Sequence, residues 1–324
     1  MAFRVVLIGC GNLGSRHLQA LKQTKRKIKI TVCEPDDAAK KIALERYNQI
    51  IESEMIENME MISDYRNIPK VQDLVIIATS AQGRFEIAKW VVEELKVKYL
   101  LLEKVVFQSI NELEQFSNII RETEIKVWVN CPRRMFSFYK RLKDILYSED
   151  KVDMYVSGSD WGMGCNSVHL IDIYQFLTEA RNYEYKNVSL EDKIYESKRL
   201  GYKEFFGEYS IETEKGILTI GCSNSKSEPF VIEISTLSSD ILIEEGAKKA
   251  IITDKVLGKK NEEYVDFTFQ SNLTNKVVEQ LIDNDTCELV TYSDSKIIHE
   301  GLIKFFINHI KNVTGKEEER CPIT

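Results

Sequence analysis

No Cys-x-x-Cys pair, no long basic stretch, no internal repeat and no low-complexity tract occurs in this chain of 324 residues, and no apolar run approaches the roughly 18 residues of a membrane-spanning helix. Each absence excludes something. The seven cysteines (Cys10, Cys33, Cys131, Cys165, Cys222, Cys287 and Cys321) stand singly and are odd in number, which argues against a disulfide framework or a zinc site and for thiols in a reducing compartment. No metal site is expected. The formal net charge of -7, with Lys25-Arg26-Lys27 reading as a short solvated turn, argues against a nucleic-acid partner. Arg4 before Val5 to Ile8 is too short an apolar segment for a signal peptide, and three glycines interrupt the chain just after it. The expectation is a cytoplasmic protein without membrane association.

Among the features present, residues 5–17 are the most informative: Val-Val-Leu-Ile-Gly-Cys-Gly-Asn-Leu-Gly-Ser-Arg-His. An apolar strand runs directly into Gly9-x-Gly11-x-x-Gly14. In such a fingerprint Gly9 permits the tight turn, Gly11 lets backbone approach a pyrophosphate, and Gly14 lets the next helix pack on the sheet. Asn12 and Leu13 complete the loop, whose helix amino terminus faces the phosphate charge. A second strand, Ile28 to Cys33, ends in Glu34, twenty residues beyond Gly14, where a ribose-binding carboxylate belongs. Glu34 can accept from both ribose hydroxyls, and Asp36 and Asp37 beside it would repel a 2′-phosphate. The expected cofactor is therefore NAD rather than NADP.

With 43% hydrophobic and 29% charged residues, a chain of this length has material for two cores. Strands and amphipathic helices alternate at first: a helix over 39–47, a strand over 73–78, a helix over 84–95, a strand over 99–102, a helix over 111–122 and a strand over 127–130. After Pro132 the pattern changes to helices near 138–147 and 168–177, then strand-like segments at 217–220, 230–235, 241–243 and 265–269, and a closing helix over 294–310. The fold class is α/β: an N-terminal Rossmann dinucleotide-binding domain, residues 1–127, and a C-terminal α+β domain, residues 128–324, built on a largely antiparallel open sheet.

Candidate chemistry lies at strand ends. Leu100-Leu101-Leu102-Glu103-Lys104 places an acid and a lysine at the carboxyl edge, where open α/β sheets bind ligands. The fingerprint followed by Ser15-Arg16-His17, the Ala78-Thr79 strand end, Glu103-Lys104, Asn130-x-x-Arg133-Arg134, His169-x-x-Asp172 and the terminal helix with His299 together resemble the Gfo/Idh/MocA oxidoreductases. The resemblance spans nearly the whole chain. It implies NAD(P)-linked oxidation or reduction of sugars, cyclitols and nucleotide-linked sugars, with substrate held between the domains and the open sheet as a dimer face. Thr79 and Glu103 join Gly9, Gly11, Asn12, Leu13, Gly14 and Glu34 as expected cofactor-binding residues. Lys104 matches the lysine of the family's Glu-Lys-Pro, which contacts substrate hydroxyl and nicotinamide ribose, although Val105 replaces the proline. His169 matches the family's general acid/base, while Cys165 and Ser167 stand where its aspartate and glycine would.

Hydride transfer from a carbinol needs a group to take the hydroxyl proton, and histidine suits that near neutrality. With a thiol at 165, either Lys104 carries more of the proton chemistry or Asp172, at i+3 from His169, orients the imidazole. Arg134, Asn166 and Asp172 are the candidate substrate-binding residues. Arg133 and Arg134 could clamp a phosphate or carboxylate, one of them serving instead as a salt-bridge partner. Arg84 reads equally as a helix-surface charge, His17 as structural, and Lys198-Arg199 with Tyr202-Lys203-Glu204 as a solvated face. Two alternatives stay open: a non-catalytic or regulatory homologue that kept the nucleotide domain, and an enzyme using tightly held NAD for a redox-neutral elimination or epimerisation. The divergent motifs are also associated with bacterial cell-surface saccharide biosynthesis.

Overall fold

The computed structural model describes residues 2–225 and 227–324. The chain opens with β1 (Phe3–Ile8), α1 (Gly14–Leu21), β2 (Ile28–Cys33), α2 (Asp37–Asn48), β3 (Ile56–Ile62), β4 (Val71–Ile77), α3 (Arg84–Glu94), β5 (Lys96–Leu102), α4 (Ile110–Arg121) and β6 (Lys126–Val129). It continues through α5 (Ser137–Leu146), β7 (Asp153–Ser157), α6 (Met163–Thr178), β8 (Glu184–Asn187), β9 (Tyr195–Glu196), β10 (Lys203–Glu204), β11 (Gly207–Thr213), β12 (Gly216–Cys222), β13 (Val231–Ser235), β14 (Ser239–Glu244), β15 (Lys249–Asp254) and β16 (Lys259–Tyr264). Last come α7 (Thr274–Asn284), β17 (Val290–Thr291) and α8 (Tyr292–Thr314).

Two compact units result: Met1–Pro132 with Thr268–Lys296, and Arg133–Phe267 with Ile297–Thr324. Among the described residues, the first holds a seven-stranded sheet in the order β17-β6-β5-β4-β1-β2-β3, parallel except where β17 meets β6. Helices on both faces bury the central strands fully, which is why they read as unbroken apolar runs. Val5 to Ile8, Leu74 to Ile77 and Tyr99 to Leu102 are at most 3% exposed. Each such aliphatic side chain contributes about 1.5–3 kcal/mol of burial. The strand order reverses between β1 and β4, so their carboxyl ends open the crevice in which doubly wound sheets bind ligands. Asp36 caps α2 by accepting from Ala39 N at 2.7 Å, and Ser109 caps α4 by accepting from Glu112 N at 3.1 Å.

The second unit is built on an eight-stranded sheet, order β16-β15-β14-β13-β7-β12-β11-β8, antiparallel except for the β7–β12 pair; β9 and β10 form a separate small ribbon. Alternation is clean on β7, where Met154 and Val156 are buried and Tyr155 faces out.

Three elements differ from the sequence reading. Residues 265–269 form no strand: Val265 N makes one bond to Lys248 O, and the chain then crosses from the second unit to the first. Their alternation arises from packing, since Phe267 meets Phe136, Phe138 and Tyr139 while Phe269 is 71% exposed. The charged segment Lys259–Tyr264 takes the edge-strand place instead, as edge strands often do. Residues 268–296, read as part of the C-terminal domain, pack with the first unit, where Leu273, Val277, Val278 and Leu281 are buried and Tyr99 Oη donates to Leu281 O at 3.2 Å. Helix α6 begins at Met163, five residues before the expected start.

Candidate functional site

At the carboxyl end of β1 the three glycines do three different things. Gly9 adopts φ +87°, and a Cβ there would lie 2.9 Å from Thr79 N. A Cβ on Gly14 would stand 2.0 Å from Gly9 O, so only glycine lets α1 sit this close to the strand. A Cβ on Gly11 would meet nothing within 4 Å. The Gly11 backbone therefore borders open space beside the start of α1. That helix has no side-chain cap and no acidic residue in its first turn, which leaves its amino terminus suited to an anion.

Glu34 closes the other side of the loop. It accepts from Cys10 N at 2.6 Å and from Asp36 N at 3.1 Å, one bond to each carboxylate oxygen, which keeps a lone pair on each for a ribose hydroxyl. Burial first, and then the Glu34 charge, pushes the Cys10 thiol up to about 12, so it is inert at neutral pH. Asp37 is paired with Lys40 at 2.8 Å and Asp36 is engaged as the α2 cap, so the acidic surroundings of Glu34 are partly neutralised. Arg46 of α2, missed in the sequence, donates to Asn12 O at 2.9 Å and to the Ser15 hydroxyl at 2.5 Å.

The β4 and β5 ends complete the edge. Thr79 follows β4, and its buried Oγ1 has no hydrogen-bond partner. From Tyr99 to Ser109 every residue is buried except Lys104, so the strand end presents this one side chain toward solvent. The Lys104–Val105 peptide is cis, although residue 105 is valine. Arg84 is no surface charge: it is 1% exposed, and its guanidinium donates to the carbonyls of Glu103 (2.6 Å), Val106 (3.2 Å), Val105 and Thr79. A buried cation needs such partners, and α3 delivers it from its first residue.

Glu103, expected at the cofactor, turns its carboxylate inward. It is 2% exposed and accepts from His17 Nε2 at 2.8 Å and Asn130 Nδ2 at 2.5 Å. Three further contacts close a ring of hydrogen bonds: Asn130 Nδ2 to Gln270 Oε1 (3.0 Å), Gln270 Nε2 to Thr274 Oγ1 (3.0 Å), and Thr274 Oγ1 with His17 Nδ1 (2.8 Å). Donors and acceptors match around the ring when His17 carries its proton on Nε2, an assignment made from the network. Burial works to raise the Glu103 pKa, but the bonds from His17 and Asn130 and the charge of Arg84 hold it below the ordinary carboxylate range. His17 is structural, as read from the sequence, and the residues it needs on 270–274 carried no local signal.

In the second unit, His169 lies half-buried on α6. Two residues expected to bind substrate bind each other: Arg134 donates to both oxygens of Asp172 at 2.9 and 3.0 Å, and to Gln175 Oε1 at 2.8 Å. Asp172 is fully buried, and a carboxylate there requires a cation beside it. Arg133 likewise grips Glu245 with two bonds of 2.8 and 2.7 Å, so both arginines are salt-bridge partners rather than one. Asn166 Nδ2 donates to Trp161 O at 2.7 Å. Glu204, read as solvated, is 8% exposed and accepts from Gly164 N at 2.8 Å in the first turn of α6. Burial pushes its pKa up, against hydrogen bonds from Gly164, Cys165 and Phe205. Around Gly162, a Cβ would lie 3.0 Å from Cys165 Sγ, 3.2 Å from Asn166 Nδ2 and 3.5 Å from Glu204 Oε1, so these polar groups converge where glycine leaves room.

A parallel sheet in this strand order, with a glycine loop at the reversal point and an acid at the end of β2, defines a dinucleotide-binding Rossmann protein. Residues 3–131 match the Gfo/Idh/MocA family model, described as an oxidoreductase family with an NAD-binding Rossmann fold. No curated protein matches the chain in sequence. Solved structures similar over nearly the whole length include an oxidoreductase from Agrobacterium radiobacter in complex with NAD+, L-tartaric acid and magnesium (14% identity, 98% of each chain, TM-score 0.69). Another is UDP-N-acetylglucosamine 3-dehydrogenase GnnA from Acidithiobacillus ferrooxidans (11% identity, 94% of this chain and 96% of that one, TM-score 0.65). A third is a super-repressor mutant of Gal80p from Saccharomyces cerevisiae (13% identity, 96% and 97%, TM-score 0.71). At these identities the likeness defines the fold, and with the family match it indicates an NAD-binding oxidoreductase.

Proposed function

We propose that the protein is an NAD-dependent oxidoreductase acting on a secondary carbinol of a sugar, cyclitol or nucleotide sugar, with a place in bacterial cell-surface saccharide biosynthesis. The observation that carries the reading is the β1–α1 loop: open space at Gly11, an uncapped helix terminus, and Glu34 across the loop with unused lone pairs. These residues fit a dinucleotide. Gly9, Gly11, Asn12, Leu13 and Gly14 would hold the pyrophosphate, Glu34 the ribose, and Thr79 would offer its unpartnered hydroxyl near the nicotinamide end. NAD, when bound, supplies or accepts hydride at the nicotinamide ring. Glu34 in an acidic setting favours a ribose carrying free hydroxyls over a 2′-phosphate, and Arg46 is already engaged by Asn12 and Ser15.

Lys104 is the side chain that the sheet edge presents, and we assign it to the substrate hydroxyl; His169 on α6 takes or returns the hydroxyl proton. Asp172 is bound by Arg134, and Lys104 is assigned the larger share of proton handling. Asn166 is the remaining candidate for a substrate hydroxyl in this unit. A homodimer through the open face of the second sheet is part of the proposal. Its outer row runs Ile251, Leu242, Glu233, Tyr155 and Thr219 across neighbouring strands, around a hollow of about 500 Å³. Among the described residues no helix is long and apolar enough to cross a membrane, and all seven cysteines are thiols, as in a cytoplasmic protein.

The test is calorimetric titration with NADH and NADPH after removal of co-purifying nucleotide, followed by turnover with sugars and nucleotide sugars. Tight NADH and weak NADPH binding support the reading, and Lys104→Met and His169→Ala should then each lower kcat by about two orders of magnitude or more. Turnover retained in both variants would overturn the assignment. A regulatory reading is favoured by Cys165 and Val105 and by the closed Arg134–Asp172 pair, and nucleotide binding without turnover on any sugar class would select it.

A further inference from the structure

We propose that Arg84 is the positioning residue for Lys104, setting the backbone on both sides of the lysine and tying it to Thr79. The inference rests on the reading of Lys104 as the substrate-facing lysine. A single nitrogen, Nη1, donates to the carbonyl before Lys104 (Glu103, 2.6 Å) and to the carbonyl after it (Val105), with Val106 at 3.2 Å. The second terminal nitrogen, Nη2, donates to Thr79 O on the neighbouring strand end. Two strand ends thus share one planar cation.

Beyond the end of β5 the carbonyls of residues 103, 105 and 106 lie in buried chain, and a buried carbonyl requires a donor. Arg84 supplies all three. The dependence is mutual, because a guanidinium held at 1% exposure is stabilised by converging carbonyl dipoles. Its charge also favours the ionised form of Glu103, and so the ring through His17 and Asn130. A lysine at position 84 keeps the charge but loses the fork, since an ammonium is a compact point donor on a shorter reach and cannot serve Thr79 and the 103–106 carbonyls together. Placing the cation at the first residue of α3, behind Gly83 in the left-handed region (φ +79°), aims it along the sheet edge rather than into solvent.

The experiment compares the full chain with its Arg84→Lys and Arg84→Gln variants, first without nucleotide. Hydrogen exchange is followed over 103–108, over the first-sheet strands at 3–8 and 71–77 and over 231–244, and the acylation rate of the Lys104 amine by limiting acetic anhydride is measured by mass spectrometry. Both variants should exchange about tenfold faster over 103–108, with 231–244 unchanged, because loss of the clamp opens this loop locally. The Lys104 acylation rate should change by about threefold or more, and NADH should bind about fivefold more weakly as the Thr79 end loosens. Wild-type exchange and acylation in Arg84→Lys would overturn the proposal, since any cation would then suffice. Equal acceleration throughout the first sheet would also overturn it, by showing a residue of general stability. If the wild type binds neither NADH nor NADPH, the cofactor reading falls, while exchange and acylation still decide the role of Arg84. Arg84→Lys, which keeps charge and stem, provides the readout if Arg84→Gln fails to fold.

Discussion

Alanine at Gly11 and alanine at Gly14 add the same methyl group three residues apart, and the structure predicts opposite consequences. At Gly14 the new Cβ would stand 2.0 Å from Gly9 O and 2.9 Å from Gly9 C, both backbone atoms that no side-chain rotation can clear. Helix α1 must move off β1, at a cost of about 3 kcal/mol or more, the upper range for overpacking. For a folding unit of roughly 150–250 residues, the size class of the first unit, that lowers the melting temperature by roughly 6–12 °C. At Gly11 the Cβ meets nothing within 4 Å, so the nucleotide-free protein should keep its stability or gain up to about 0.5–1 kcal/mol from a less flexible unfolded chain. The same methyl stands where a pyrophosphate would approach. Losing one or two charge-assisted hydrogen bonds there costs about 3 kcal/mol, which weakens NADH binding roughly 150-fold. Thermal unfolding of both variants and calorimetric titration of Gly11→Ala with NADH check the pair. Unchanged NADH affinity in a well-folded Gly11→Ala would show that no pyrophosphate lies over this loop, and a melting temperature unchanged in Gly14→Ala would refute the close packing of α1.

Other predictions are briefer. Glu34→Ala should weaken NADH about tenfold or more through loss of the ribose contact, while NADPH, repelled less, weakens little or improves; calorimetry with both nucleotides reads the contrast. Glu204→Gln should stabilise the protein at neutral pH. The Glu204 pKa is raised on folding, so the native state resists its ionisation; stability from this group is present below the unfolded value of about 4.3 and is lost as pH rises through the folded value. The gain should therefore vanish below about pH 4, as seen by denaturant unfolding across pH. Glu103 has the opposite sign: its pKa is lowered, so its contribution is present above about 4.3 and falls away in acid, and Glu103→Gln should flatten the acid limb of the stability curve while destabilising by about 1–3 kcal/mol at neutrality.

The nucleotide half was legible because its signals are local. A strand, three glycines and an acid twenty residues on are all set by short-range geometry, and the structure places them together. The alternation of strand and helix through residue 129 was legible for the same reason, since strands buried on both faces must be apolar throughout. The second half was harder. Its strands expose one face, so Lys259–Tyr264 could be an edge strand with almost no apolar residue, while Val265 to Phe269 alternates like a strand and is none.

Sequence alone determined the dinucleotide loop, the parallel sheet and the identity of the side chains offered at its edge, because each depends on residues within a few positions of one another. Tertiary structure decided which of those side chains remain available. It locked Arg134 onto Asp172 and Arg133 onto Glu245, turned Glu103 inward to His17 and Asn130, buried Arg84 among four carbonyls, and brought Gln270 and Thr274 back to His17 from more than 250 residues away. The physical reason is burial: a charged or polar group withdrawn from water must find its partner wherever the fold puts one, and no local pattern records the distance along the chain to that partner.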